Sequence, residues 1–88
     1  GVLPDNPLSS LVHELLHWKD AQRYLFNHGN MKGYKKWIRA ACQKKVEALI
    51  RKGYNVCVSQ YAMDMLESNA YDEVYTEFRT LRLLKGGF

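Results

Sequence analysis

A chain of 88 residues has room for one domain with a small core, a size at which a metal or a partner often adds stability. Its hydrophobic content of 47%, charged content of 25% and net charge of +4 fit an ordinary globular protein. No apolar run approaches the roughly 18 residues of a membrane span, and no basic-then-apolar signal pattern opens the sequence, so no membrane role is expected.

Residues 1–6 carry turn chemistry. Asn6 followed by Pro7 suits an N-cap and first helical position, with Ser9 or Ser10 as later alternatives. Leu8, Leu11, Val12, Leu15, Trp18, Gln22 and Leu25 then fall at helical spacing and predict a buried stripe. His13, His17, Asp20 and Tyr24 run along a neighbouring face. The helix is expected to end at Asn27-His28-Gly29-Asn30, with His28 as an exposed or capping residue and not a ligand.

A second helix is predicted from Lys32 or Gly33 to Lys52, with Gly53 as its stop. Tyr34, Trp37, Ile38, Ala41, Val46, Leu49 and Ile50 supply its apolar side, the two aromatics as core anchors. Lys32, Lys35, Lys36, Arg39, Lys44, Lys45, Arg51 and Lys52 make this segment strongly basic. Such a face can meet nucleic acid or an acidic partner, but it is more often simply solvated, and no base-reading motif accompanies it. Cys42 and Cys57 form no C-x-x-C pair; free thiols in a reducing, intracellular compartment are expected.

Residues 54–58 read as an extended linker, and Ser59 as the cap of a short third helix through Leu66, where Met63, Met65 and Leu66 pack. Ser68 or Asn69 is expected to cap a last helix over 70–84, with Asp72 in a capping-box-like contact and Gly86-Gly87 as its end. Its buried side is either Val74, Phe78, Leu81 and Leu84, or Tyr71, Val74 and Phe78. The expected fold is therefore all-α: one domain over residues 1–88, a small bundle of about four helices without a confident strand.

Chemistry concentrates in His13-Glu14-Leu15-Leu16-His17. On a helix, residues four apart share a face, so both imidazoles can aim at one cation while Glu14 leans over its open position. A carboxylate is a poor base toward ordinary water, and zinc removes that difficulty by lowering the water's pKa to about 7. Catalytic zinc usually takes three protein ligands. No further histidine is suitably placed, so a carboxylate must complete the set. Glu73 and Glu77 lie four apart on the last helix; one can bind the metal while the other accepts the remaining ring N–H of a ligand histidine.

The pattern His13-Glu14-x-x-His17 followed by a helix bearing Glu73-x-x-x-Glu77-Phe78 resembles the zincin metallopeptidases whose third ligand is glutamate, the gluzincins. It is most similar to the compact branch that includes anthrax lethal factor and zincin-like toxin domains, which pair a Tyr-Ala or Tyr-Gly with an acidic helix; Tyr61-Ala62 occupies that place here. The chain is also similar to small zincin-like proteins of phages and prophages of Gram-positive bacteria. The resemblance implies a zinc site between the first and last helices, with His13, His17 and Glu73 as ligands. It further implies Glu14 as general base, Glu77 as the support of a ligand ring, and Tyr61 as a phenol stabilising the oxyanion, a role open also to Tyr71 or Tyr75. Zincins usually carry a sheet before the motif helix, and too few residues precede His13 to form it. The chain is thus expected to be either the C-terminal part of a longer protein or a minimal domain.

The function so implied is zinc-dependent hydrolysis of a peptide or protein substrate, in a bacterial cytoplasm or associated with a virion. Two alternatives stand beside it. One is a non-catalytic phage-associated module, partnered with a phage head or other protein and stapled by a structural zinc. The other is a basic helical domain binding nucleic acid, the least favoured of the three.

Overall fold

In the computed structural model, which describes residues 7–85, the chain forms α1 (Pro7–His28), α2 (Tyr34–Arg51), α3 (Gln60–Glu67) and α4 (Tyr71–Leu84). No strand occurs among the described residues. The bundle is all-α, as expected, and no described helix is long and apolar enough to cross a membrane.

Local chemistry sets the helix ends. Gly53, at φ 89°, takes the left-handed conformation that stops α2 just after Arg51, a backbone state costly to residues with a Cβ. Gly33 does the same before α2 begins, and an added Cβ there would meet the Tyr24 hydroxyl at 3.5 Å. Ser59 caps α3 as expected, its hydroxyl accepting from the Ala62 amide at 3.1 Å. The cap expected at Ser68 or Asn69 does not form. Ala70 precedes α4 without a side-chain cap, Ser68 closes α3, and Asn69 reverses the chain at φ 59°. The Asn6 cap and the Gly86-Gly87 stop lie outside the described residues.

α4 is the centre of the bundle, packed by each of the other three helices, while α1 and α2 meet only lightly. Val46, Val56, Val74 and Phe78 form the buried core, with Leu49, Met65, Leu66, Tyr71 and Tyr75 packed around them. Each fully buried valine contributes about 1.5–2 kcal/mol by removing its side chain from water. A second, aromatic cluster joins α1 to α2: Tyr24 stacks on His28 at 4.0 Å and meets Trp37 at 5.1 Å and Tyr34 at 5.3 Å. Trp37 stands at the edge of that cluster, 39% exposed, and Met63 lies outside the core at 43%.

A central helix has no free face, so α4 buries polar groups along with apolar ones. Asp72 is 2% exposed, and its oxygens accept from Lys35 Nζ and Arg39 Nε of α2, both at 3.3 Å. It therefore ties α2 to α4 and does not cap its own helix. Thr76 and Thr80 are fully buried; the Thr80 hydroxyl donates to the Thr76 carbonyl at 2.8 Å.

α1 corrects the expected orientation. Leu8, Leu11, Leu15 and Trp18 are 52–62% exposed, and Gln22 and Leu25 are also exposed. The face turned inward is the polar one: His13 and Tyr24 are buried, and His17 and Asp20 half-buried. α4 selects it, because Glu73, Glu77 and Arg79 offer partners that leucines could not satisfy. Asp20 Oδ2 accepts from Arg79 Nη2 at 2.8 Å, one turn beyond His17.

Candidate metal centre

Three helices deliver the side chains. α1 places His13 and His17 one turn apart, and α4 places Glu73 and Glu77 one turn apart on the face opposed to them. α3 adds Tyr61 and, at its cap, Ser59.

His13 Nε2, His17 Nε2 and Glu73 Oε1 form a near-equilateral triangle. Its edges are 3.0 Å between the nitrogens, 2.9 Å from His13 to the carboxylate and 2.8 Å from His17 to it. Three atoms so spaced can all lie about 2.0–2.1 Å from one common point, the usual reach of zinc to nitrogen and carboxylate oxygen. Together they make a group able to hold a metal ion.

The protonation chemistry points the same way. Glu77 Oε1 lies 3.1 Å from His13 Nδ1, and an ionised carboxylate only accepts, so Nδ1 carries the proton. Neutral His13 then turns the Nε2 lone pair toward a carboxylate oxygen and a second imidazole nitrogen. Electron-rich atoms at this separation need a cation among them, either a proton or a metal. Without a metal a proton takes that place, and the surroundings of His13 favour its charged form. Burial works against the charged ring, but the bonds to Glu73 and Glu77 outweigh it and raise the pKa above 6.5. The hydrogen bonds from His13 and His17 hold the Glu73 carboxyl far below the usual carboxylate range.

Two hydroxyls close the arrangement from α3. Tyr61 Oη donates to Glu73 Oε1 at 3.0 Å, with its ring edge-on to His13 at 5.8 Å between centroids. Burial, then the Glu73 carboxylate, push this phenol above its ordinary range, so it remains a donor. Ser59 Oγ donates to Glu77 Oε2 at 2.8 Å. Tyr71 and Tyr75 pack against the core instead, and Tyr75 lies beneath the Arg79 guanidinium at 4.6 Å.

Glu14 is exposed and makes no contact with the triangle; it lines an open cleft of about 420 Å³ that it shares with His17, Glu73, Trp18, Tyr34 and Lys35. The candidate base thus stands on the wall of a cleft that reaches two of the three candidate ligands. His28 Nδ1 donates to the Tyr24 carbonyl, 3.1 Å away, on the aromatic cluster and takes no part. Both cysteines are free thiols.

Every sequence-predicted site residue except Glu14 joins one hydrogen-bonded cluster. The one participant not foreseen is Ser59, read only as a cap. A serine two residues before Tyr61 was the available signal, but its second contact depends on where α4 lies.

Comparison of the chain with protein-family models, with curated proteins and with solved structures returns no match.

Proposed function

We propose that this chain is a zinc-dependent peptidase domain of the gluzincin type, with His13, His17 and Glu73 holding the ion. The observation that carries the reading is the triangle of Nε2, Nε2 and Oε1, closed by a helix that bears His-Glu-x-x-His and opens on a cleft walled by that glutamate. When bound, zinc supplies Lewis acidity, bringing the pKa of water to about 7 and polarising a carbonyl. The residues of the chain do the remainder. Glu14 takes a proton from the attacking water and returns it to the departing amine. Glu77 holds His13 in the Nδ1–H tautomer, leaving Nε2 free to bind. Tyr61 stands with its phenol at Glu73, within the site, where it can donate to the oxygen that gains charge in the tetrahedral state.

The test is Glu14→Gln, assayed for zinc content and for peptide turnover. The variant should bind one zinc like the wild type and lose at least about a hundredfold in peptidase rate. A wild-type protein that takes up no stoichiometric zinc overturns the metal assignment; a Glu14→Gln variant with undiminished turnover overturns the mechanism.

A second reading, a non-catalytic module of phage type with a structural zinc, is favoured by one observation. α1 meets α4 through His13, His17 and Asp20, turns several leucines outward and gives no residue to the buried core cluster, so a metal linking the two helices would fasten what the core does not. It predicts unfolding by chelator without turnover of any peptide. Nucleic-acid binding rests only on the basic exposed side of α2, and would survive loss of both histidines. A cytoplasmic or virion-associated setting accompanies the first two readings.

A further inference from the structure

The two α4 glutamates at the metal centre are both held by α3. Ser59 Oγ donates to Glu77 at 2.8 Å and Tyr61 Oη donates to Glu73 at 3.0 Å. Ser59 is 6% exposed, so water does not replace it as a donor. Its oxygen also accepts from the Ala62 amide at 3.1 Å, the bond that starts α3. One hydroxyl therefore serves two structures at once, with its proton on the glutamate and a lone pair on the helix. The glutamate it reaches is the one that fixes the His13 ring through Nδ1, at 3.1 Å.

α3 needs such anchors. With eight residues it is too short to be stable alone, and it packs chiefly on α4, touching α1 through the edge-on rings of Tyr61 and His13. Its buried contribution is small: Ala62 is buried, with Met65 and Leu66 half-buried.

We propose that Ser59 is a positioning residue for the metal, acting through Glu77 on His13, and that zinc affinity and the folding of α3 are thereby linked. The linkage runs in both directions. An ordered α3 presents the Ser59 proton to Glu77, holds the carboxylate in line with Nδ1 and so aims Nε2 at the ion. A bound ion fixes His13 and Glu77, and through them the residue from which α3 begins. The inference rests on His13, His17 and Glu73 as the zinc ligands, and its test separates the two.

The test exploits a difference among caps. Glycine is nearly as good an N-cap as serine but offers no hydroxyl, whereas threonine keeps both functions. Ser59→Gly and Ser59→Thr, each alone and combined with Glu77→Ala, would be titrated with zinc against a chromophoric chelator. Hydrogen exchange of the 60–67 amides would be followed with and without zinc. Ser59→Gly should weaken zinc about tenfold in the wild-type background. It should have no further effect once Glu77 is alanine, since the route through that carboxylate is gone. Ser59→Thr should restore affinity. Zinc should slow exchange across α3 in the wild type, and less so in Ser59→Gly.

Wild-type protein that binds zinc, with Ser59→Gly binding within twofold or weakening it equally in both backgrounds, overturns the relay and leaves the metal centre standing. Zinc that leaves α3 exchange unchanged overturns the linkage. A wild type that binds no zinc overturns the metal assignment and the relay with it.

Discussion

Tyr61 Oη and Glu73 Oε1 lie 3.0 Å apart, and that oxygen is the one facing both imidazoles, at 2.9 Å from His13 and 2.8 Å from His17. A phenol held at a candidate ligand oxygen can support the ligand, the reaction, or both, and Tyr61→Phe distinguishes them. Zinc stoichiometry should remain at one, while kcat for a peptide substrate falls about a hundredfold with little change in KM. A variant that loses zinc in parallel with activity would assign the phenol to holding Glu73 alone.

Beyond the histidines, α1 is fastened to α4 by Asp20 and Arg79, whose side chains are 13% and 24% exposed. Removing the acid leaves a guanidinium half-buried over Tyr75, with its Nε already lacking a hydrogen-bond partner. Asp20→Asn should therefore cost about 1–3 kcal/mol in urea denaturation of the metal-free protein. Zinc should recover part of the loss by fastening the same two helices.

The metal-free protein should have a narrow optimum of stability in mildly acidic solution. The folded His13 pKa is raised above 6.5, so its contribution is full below that value and fades as pH rises through the folded pKa. The folded Glu73 pKa is depressed below 4.5, so its contribution is present above that value and is lost as pH falls through the folded pKa. Both operate together between about pH 4.5 and 6.5. Zinc reverses the alkaline side, because it binds neutral imidazole and must displace the His13 proton. Urea titrations across pH locate the optimum. Calorimetry in buffers of differing ionisation enthalpy should show net proton release on zinc binding near pH 6.

Leucines on α1 should respond oppositely to what hydrophobic pattern alone suggests, whereas valines in the core should respond as it predicts. Leu11 and Leu15 are 56% and 53% exposed, so Leu11→Glu with Leu15→Lys should change unfolding free energy by less than about 1 kcal/mol and reduce self-association at high concentration. Val74→Ala, at a fully buried position, should cost about 2 kcal/mol. Denaturation and light scattering check the pair of expectations.

How the sequence misled about α1 is instructive. Periodicity identifies an amphipathic helix, but which side turns inward depends on what the neighbour offers. Leu8, Leu11 and Leu15 follow the spacing of a buried stripe, yet α4 presents Glu73, Glu77 and Arg79, and the histidine side answers them. Elsewhere local rules sufficed: Gly29 and Gly53 end their helices, and Ser59 caps α3. Motif spacing plus the need for a third ligand pointed to His13, His17 and one of Glu73 and Glu77; the choice of Glu73 came only with the resemblance to gluzincins. The second contact of Ser59 could not be read, since no local pattern tells a cap serine that a carboxylate from another helix lies 2.8 Å away. Asp72 failed for a related reason: two residues past the expected start of α4 it fits a capping acid, but Lys35 and Arg39 of α2 claim both its oxygens.

Because α4 lies in the middle of the bundle, its residues answer to three neighbours at once. Rotating it by a single residue would carry Val74 and Phe78 out of the core and swing Glu73 and Glu77 away from the imidazoles in the same movement. Change along this helix is thus narrowly restricted, whereas the outward side of α1 can drift with little consequence for the core or the ligands. If the proposed peptidase activity holds, directed evolution of its specificity should accordingly begin at the exposed wall of the cleft, at Trp18, and leave intact the axial helix and the Lys35 that ties α2 to it.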